Sequence, residues 1–261
     1  MADGNVVVPI EIVYAGKRFL PEGEGGGTSS GYKVGDKIPK DNVRHLKEML
    51  PEAKKMWGFA GYAYGIYGVA VDVQGYFYSA DGEGFVTKIS PDGKKVWGFK
   101  VNDNGVMGIA VDVQGHVYGT EYSGTVTKIS PDGKRVWGCK SGVFDITSIA
   151  VDAQGHIYTA GYEGIVVKIS PDGEKVWDCK VSSRDITSIA VDAQGHIYTA
   201  GYEGIVVKIF PDGKKVWDFK VNDKKRTSIA VDVQGHVYAA GYEDGKVMKI
   251  ADFEEYYEVL K

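Results

Sequence analysis

The sequence has few cysteines, no long apolar run and no excess of basic charge, and each absence excludes a class of protein. Two cysteines in 261 residues cannot supply the disulfide framework of a small secreted domain. No apolar stretch reaches the roughly 18 residues of a membrane-spanning helix. A net charge of −4 argues against a nucleic-acid partner, which would call for a basic face. The apolar fraction of 43% is that of an ordinary globular protein.

The N-terminus also lacks the basic segment that opens a secretory signal. It reads MADGNVVVPIEIV, and Glu11 interrupts its apolar residues. We therefore expect no signal peptide. This leaves a cytoplasmic or a virion-associated location as the expectation.

A repeat of 40 residues organises most of the chain. The segment DITSIAVDAQGHIYTAGYEGIVVKI at residues 145–169 recurs letter for letter at residues 185–209. A period of this size is typical of a repeat architecture. Helical spacing of apolar residues is absent from the repeat, which excludes an α-solenoid. The shared motif VDxQG begins at Val71, Val111, Val151, Val191 and Val231.

Each repeat contains four short apolar runs rich in Val, Ile, Tyr or Trp, which we name strands A to D. Turn residues separate the runs, and none of the runs is long enough for a helix. Four antiparallel strands in about 40 residues form one blade of a β-propeller. The sequence thus predicts an all-β fold. In the third repeat the runs are residues 148–152, 156–162, 165–170 and 175–181.

The order of the strands predicts how the propeller closes. Five A-B-C sets are present, and the Trp-containing D strand first appears as KKMWGFA, before the first A strand. After the last C strand, at residues 246–250, the Pro-Asp-Gly turn is missing. We therefore expect a five-bladed ring over residues 55–250, in which residues 55–60 supply the outer strand of the fifth blade. This closure would remove an open sheet edge.

The segments on either side of the repeats have a different pattern. Residues 1–54 predict a small α+β segment, with a strand hairpin around Ala15-Gly16 and a Gly-rich loop at 21–31. Residues 41–50 place apolar side chains on one helical face, with Asp41 as N-cap and Pro51 as the stop. Residues 251–261 have the same helical spacing.

The repeats resemble two known propeller families. IAVDAQGHIYTAGYEGIVVKISPDG is similar to the NHL-type repeat, and PDGKKVW with its final Trp is similar to the quinoprotein-like (PQQ-like) repeat. The resemblance covers about 195 residues and implies a propeller. It does not specify a function, because such rings host enzymes, scaffolds and binding proteins alike.

The N-terminal segment resembles small modules of phage structural proteins. Those modules combine an apolar strand, a Tyr-x-Gly-Lys-Arg-(Phe/Tyr) turn, a Val-Gly-Asp stretch and a short helix. The resemblance implies attachment to other protein subunits, in a virion or tail, through residues 1–54. The matching residues are Tyr14, Gly16, Lys17, Arg18, Phe19, Val34, Gly35 and Asp36.

Variation among the repeats points to one end of the blades. The A-B and C-D turns are nearly the same in all copies, whereas the D-A loops differ, and the B-C turns lie at the same end because strands alternate in direction. We call this end the loop face. Exposed Tyr beside carboxylates suits carbohydrate or protein surfaces. The candidate ligand-binding residues are Tyr62, Tyr64, Tyr122, Tyr162, Glu163, Arg184, Tyr202, Glu203, Lys225 and Tyr242.

Other interpretations of these residues predict structural roles. The loop-face tyrosines could instead cover the blade edges. At the opposite end one repeat position holds Tyr76 or His, but equivalent positions on separate blades lie too far apart to share a zinc ion, so we expect no metal site. Cys139 and Cys179 occupy equivalent D strands and should be free thiols. The repeated Trp and the Phe or Cys two residues later should form the contact between blades.

These observations favour a binding or attachment module with no catalytic activity and no cofactor. The inner strands are nearly alike in every blade, so nothing breaks the symmetry to bring an acid, a base and a nucleophile together. The partners expected are protein subunits at residues 1–54 and a cell-surface glycan or protein on the loop face. The alternatives are a purely structural scaffold or decoration protein and, more remotely, a lactonase-like or quinoprotein-like enzyme.

Overall fold

The computed structural model describes residues 65–222, 226–232, 234–241 and 247–250, residue 58, and four short strands nearer the N-terminus. The chain divides into two compact units, residues 1–56 and residues 57–261. Among the described residues no helix is long and apolar enough to cross a membrane.

The N-terminal unit contains two short antiparallel pairs. Strand β1 (Val6–Val7) pairs with β4 (Lys37–Ile38), and β2 (Ile12–Tyr14) pairs with β3 (Lys17–Phe19). The second pair places Tyr14 opposite Lys17, on either side of Ala15-Gly16. The Gly-rich loop at 21–31 and the helix at 41–50 lie outside the described residues.

The described part of the second unit forms five antiparallel sheets, each from consecutive strands, which confirms the predicted β-propeller blades. The first blade comprises β5 (Ile66–Val71), β6 (Phe77–Asp81), β7 (Phe85–Ile89) and β8 (Lys95–Lys100). The second comprises β9 (Val106–Val111), β10 (Val117–Glu121), β11 (Thr125–Ile129) and β12 (Arg135–Lys140). The third comprises β13 (Ile146–Val151), β14 (Ile157–Gly161), β15 (Ile165–Ile169) and β16 (Lys175–Lys180), with a 3-10 turn at Tyr162–Gly164.

The fourth blade comprises β17 (Ile186–Val191), β18 (Ile197–Gly201), β19 (Ile205–Ile209) and β20 (Lys215–Lys220). The fifth comprises β21 (Thr227–Val231), β22 (Val237–Gly241) and β23 (Val247–Ile250). The strand predicted to complete the fifth blade, residues 55–60, and the predicted helix at 251–261 lie outside the part of the chain that the structure describes.

The C-D turns show how the sequence sets the strand directions. In the third blade Gly173 has a φ of 89°, which a residue without a Cβ adopts at no steric cost. Its N–H donates to the carbonyl of Ser170 at 2.9 Å, and the Ser170 N–H donates to the carbonyl of Glu174 at 2.8 Å. The Pro-Asp-Gly sequence therefore closes a tight hairpin between strands C and D.

The core of the propeller lies between neighbouring sheets. Tyr158, Ala160 and Val166 of the third blade pack against Ile186 and Ile189 of the fourth. Equivalent clusters join the first blade to the second, the second to the third and the fourth to the fifth. The second, third and fourth blades thus each bury one face against the blade before and the other against the blade after.

The repeated tryptophan strengthens the same interface, as the sequence predicts. Trp137 Nε1 donates to the carbonyl of Pro171 in the next blade at 3.0 Å, and Lys128 Nζ donates to that carbonyl at 3.2 Å. The Tyr118 and Trp137 rings lie 6.1 Å apart between centroids. Proline in this turn therefore supplies an acceptor to the preceding blade as well as a turn geometry.

Cys139 and Cys179 are free and half-buried, which confirms the prediction of free thiols. Burial raises the pKa of Cys139. Burial, together with the charge of Asp178, raises the pKa of Cys179 to about 11. Both thiols are therefore protonated at neutral pH, and the reactive thiolate is scarce.

We expect a thiol reagent at pH 8 to modify folded Cys179 about 100-fold more slowly than the unfolded chain, because the unfolded thiol has a pKa of about 8.5. Since the folded pKa is the higher one, the folded state retains the proton and stability falls as pH rises from about 8.5 toward 11. The Cys139→Phe variant isolates Cys179, because Phe99 and Phe219 fill this position in other blades. Rapid labelling of that folded variant would contradict the assignment.

Candidate functional site

The B-C turns and the D-A loops meet at one end of the blades, as the repeat pattern predicts. The carbonyl of Gly164 in a B-C turn accepts from the N–H of Val181, where a D-A loop begins, at 2.9 Å. The N–H of Tyr202 in the next B-C turn donates to the carbonyl of Asp185 at 3.2 Å. Each B-C turn thus contacts D-A loops, and the loop face is continuous from blade to blade.

The described candidate residues lie on this face, and all but one of them are exposed to solvent. Tyr122, Tyr162 and Tyr202 are exposed at equivalent positions of three successive blades. Glu163 and Arg184 are exposed, and Glu203 is half-buried. Tyr62, Tyr64, Lys225 and Tyr242 lie outside the described residues. The binding roles of all the candidate residues stay predictions.

Phe144 is an exposed aromatic side chain on the loop face that is absent from the residues predicted from the sequence. It lies in the D-A loop between the second and third blades and is 73% exposed. The signal was present in the sequence, since the other D-A loops carry no aromatic residue at this position apart from Tyr64.

Asp145, next to Phe144, has an unusual backbone and a polar atom without a partner. Its φ is 49°, a left-handed value that is uncommon outside glycine. Within the described structure its Oδ1 atom is buried without a hydrogen-bond partner. Interaction with the Asp145 carboxylate raises the pKa of Tyr122, so that this phenol keeps its proton and remains a donor.

Glu163 is the other non-glycine residue of the described chain with a left-handed φ, at 62°. It occupies the middle of the 3-10 turn between strands B and C of the third blade. Its N–H donates to Asp185 Oδ1 in the following D-A loop at 3.3 Å. Both left-handed residues therefore lie on the loop face, where backbone strain is a reason to look for function.

Glu203 joins the fourth blade's B-C turn to the D-A loop before that blade. Its Oε1 atom accepts from the N–H of Ser183 at 3.1 Å and also from the Ser183 hydroxyl. The hydroxyl bond lowers the pKa of Glu203, so the carboxylate stays ionised at neutral pH. This ionic hydrogen bond fixes the position of the loop that carries Arg184.

At the opposite end, the residues that could suggest a metal site serve the A-B turn. Asp152 Oδ1 accepts from the N–H groups of Gln154 and His156 at 3.0 and 2.8 Å. Its Oδ2 atom accepts from the Tyr158 hydroxyl at 2.9 Å and lies 3.0 Å from His156 Nδ1. The described residues hold no group of three or more side chains able to bind a metal ion.

The loop face offers aromatic rings, carboxylates and a guanidinium on a backbone held by hydrogen bonds between loops. Such a surface can stack against sugar rings or apolar side chains and can pair with polar groups. The described site residues include no nucleophile held by a histidine, the arrangement that nucleophilic catalysis would need.

Comparison with known proteins supports the propeller assignment. The family model described as "Outer membrane protein assembly factor BamB", a PQQ repeat model, matches residues 54–209 and, in an overlapping match, residues 123–252. Together the two matches include every VDxQG motif, which confirms the predicted PQQ-like resemblance. No curated protein gave a significant match.

Proposed function

The chain belongs to the PQQ repeat family described as outer membrane protein assembly factor BamB, and on that premise we propose that it is a non-enzymatic binding module. It holds a protein or a glycan on the loop face and serves as a subunit of a larger assembly. The description of the family as an assembly factor supports a protein among the partners.

The observation that carries the proposal is the row of exposed aromatic side chains on the loop face. Tyr122, Tyr162 and Tyr202 repeat from blade to blade, and Phe144 lies between the first two of these positions. Large aromatic side chains bury much apolar surface when a partner covers them, and tyrosine adds a polar tip. Clustered exposed apolar surface of this kind typically marks an interaction site.

The loops that carry these rings are already fixed before a partner arrives. Glu203 holds the loop of Ser183, and Asp185 accepts from the N–H of Glu163. A partner would therefore lose little free energy in ordering the loops, which favours affinity.

We do not propose catalysis, because the polar groups that recur in the blades already form hydrogen bonds that hold the A-B turns. The Asp152 carboxylate makes four contacts, three with Gln154 and His156 of its own turn and one with Tyr158. Asp112 and Asp192 make the same contacts in the second and fourth blades. A group repeated identically in successive blades does not create the single asymmetric site that a reaction requires.

The setting that we propose is a virion or tail, with residues 1–54 as the attachment segment. The resemblance of Tyr14, Gly16, Lys17 and Arg18 to the turn of phage structural modules supports this setting. A second candidate is a purely structural scaffold. Val96, Val136 and Val176 favour it, because each is about half exposed on an outer strand, where lateral contacts with other subunits could form.

The test is a glycan-array and cross-linking measurement on the whole chain with single Tyr122→Ala, Tyr162→Ala and Tyr202→Ala variants. We expect each substitution to weaken binding by at least ~10-fold, as removal of interface hot spots does. The melting temperature should change little, because these side chains are exposed. Val176→Ala, an exposed position on an outer strand, is the matched control.

Two results would contradict the proposal. If the tyrosine variants unfold at clearly lower temperature, the rings cover the blade edges and are part of the fold. If all variants bind as the unchanged chain does, the partner uses another surface.

A further inference from the structure

The D-A loop before the third blade, residues 141–145, holds the Phe144 ring outward from a fixed backbone. The Ser141 hydroxyl donates to the carbonyl of Gly124 at 3.0 Å and accepts from the N–H of Val143 at 3.1 Å. Val143 is 3% exposed and packs in the core between the second and third blades. Phe144, the next residue, therefore remains 73% exposed, because the loop is anchored on the residue before it.

Three other residues of the loop face lie beside this ring. The N–H of Asp145 donates to the carbonyl of Tyr122 at 3.1 Å. A Cβ on Gly161, at the end of β14, would collide with the carbonyl oxygen of Asp145, so this loop lies against the turn that carries Glu163. We call the surface formed by Tyr122, Phe144, Asp145 and Glu163 the Phe144 corner.

The two carboxylates of the Phe144 corner have no cation beside them. None of the ion pairs in the described part of the chain involves Asp145 or Glu163. Asp145 is half-buried, and its buried Oδ1 atom has no hydrogen-bond partner among the described residues. Water screens a buried charge poorly, so this carboxylate acts strongly on its surroundings.

The neighbouring D-A loops supply a cation of their own. In the loop before the second blade, Lys100 Nζ lies 3.3 Å from Asp103 Oδ1. In the loop before the fourth blade, the Ser183 hydroxyl and, to a smaller extent, the Arg184 guanidinium lower the pKa of Glu203. A carboxylate at this end of the blades is thus normally compensated from within the chain.

The loop before the third blade has an aromatic ring where the next loop has a guanidinium. Phe144 occupies the repeat position of Arg184, and Glu163 occupies that of Glu203. The face of an aromatic ring carries negative potential and attracts a cation, as a carboxylate does. The third blade's loop therefore lacks a positive group that a partner can bring.

We propose that the Phe144 corner binds a basic side chain, preferably an arginine, of a partner protein. A guanidinium can stack on an aromatic ring and donate to a carboxylate at the same time. A sugar could also stack and donate, but it carries no charge to compensate two carboxylates, so the observations favour the cation. The inference rests on the proposed function, since it specifies the chemistry of the partner on the loop face.

The direct test is an NMR titration of the whole isotope-labelled chain with a capped pentapeptide that carries one arginine between glycines. We expect the amide signals of Phe144 and Asp145 to shift with a Kd of about 1 mM, as a single side chain allows. The same peptide with citrulline keeps the shape without the charge and should bind at least ~10-fold more weakly. Equal binding of the two peptides, or no shift at about 10 mM arginine peptide, would overturn the proposal.

Substitutions then locate the site. Phe144→Ala and Glu163→Gln should each weaken binding of the arginine peptide by at least ~5-fold, and Asp145→Asn by at least ~10-fold. Asp103→Asn is the matched control, because it removes a carboxylate of the same face that is already paired with Lys100. An effect of Asp103→Asn as large as that of Asp145→Asn would reveal a diffuse attraction to negative charge and would count against the corner.

The melting temperature shows whether the Asp145 charge serves the fold instead. Asparagine also adopts the left-handed conformation, and Asp145→Asn removes a charge that has no partner among the described residues. The melting temperature should therefore not fall. A clear fall would mean that the loop itself needs the carboxylate, and the assignment to a partner would be wrong.

The glycan-array and cross-linking measurement separates this inference from the proposed function. If the tyrosine variants lose their partner while Asp145→Asn and Glu163→Gln keep it, the binding module stands and the basic side chain is wrong. If the arginine peptide binds the Phe144 corner but the tyrosine variants keep their partner, the proposed row of tyrosines fails instead. A neutral glycan that binds through Asp145, without binding of the arginine peptide, would overturn the choice of a basic side chain.

Discussion

Asp152→Ala is expected to lower the free energy of unfolding by about 3–5 kcal/mol. The substitution removes the acceptor for the N–H groups of Gln154 and His156 and for the hydroxyl of Tyr158. The Tyr158 side chain is fully buried, so its hydroxyl would lose its partner where water cannot replace it. Urea unfolding followed by circular dichroism measures the change.

The fifth blade offers a matched control for this prediction. Asp232 makes the equivalent bonds to Gln234, His236 and Tyr238, but its side chain is 26% exposed. Water can therefore satisfy the groups that Asp232→Ala releases, and we expect a loss of about 1 kcal/mol. If both variants lose the same free energy of unfolding, the burial of the Tyr158 hydroxyl does not account for the effect of Asp152→Ala.

Gly164→Ala is expected to be the most disruptive glycine substitution in the third blade, lowering the free energy of unfolding by more than about 3 kcal/mol. Gly164 has a φ of 69°, and a Cβ at this position would lie 2.1 Å from the carbonyl oxygen of Ser182. That oxygen belongs to the backbone of the loop-face D-A loop, so the loop itself would have to move. Thermal unfolding measures the loss of stability.

Gly155→Ala separates the cost of the backbone conformation from the cost of the contact. Gly155 has a φ of 84°, but a Cβ there would meet only two Pro171 side-chain atoms, at 3.6 and 3.7 Å. We expect a loss of about 1–2 kcal/mol from the left-handed conformation alone. If Gly155→Ala destabilises as much as Gly164→Ala, the conformation rather than the close approach of Ser182 dominates both.

The repeat made the blades predictable, because strand order and turn chemistry are both local. Pro171-Asp172-Gly173 specifies a tight turn from three adjacent residues, and the structure has that turn. The role of Trp137 also followed, since alternation along a strand places it on a face that a neighbouring blade must cover. The family match supports the same architecture.

Asp152 shows where prediction from local pattern stops. VDxQG identified a turn, but not that the carboxylate accepts from a hydroxyl six residues away. That contact depends on the register between strands A and B. Because the register is fixed only in the folded turn, the motif alone does not predict the contact. Prediction likewise missed the left-handed Asp145, because Asp185 at the equivalent position of the next repeat does not share that conformation.

The contacts that join the blades reach only the adjacent blade, as the paired donors of Trp137 and Lys128 to Pro171 illustrate. Among the described residues, no side-chain contact between blades depends on how many blades the chain contains. An in-frame duplication or deletion of one repeat therefore preserves every remaining interface. The identical residues 145–169 and 185–209 are what a recent duplication of one repeat leaves behind.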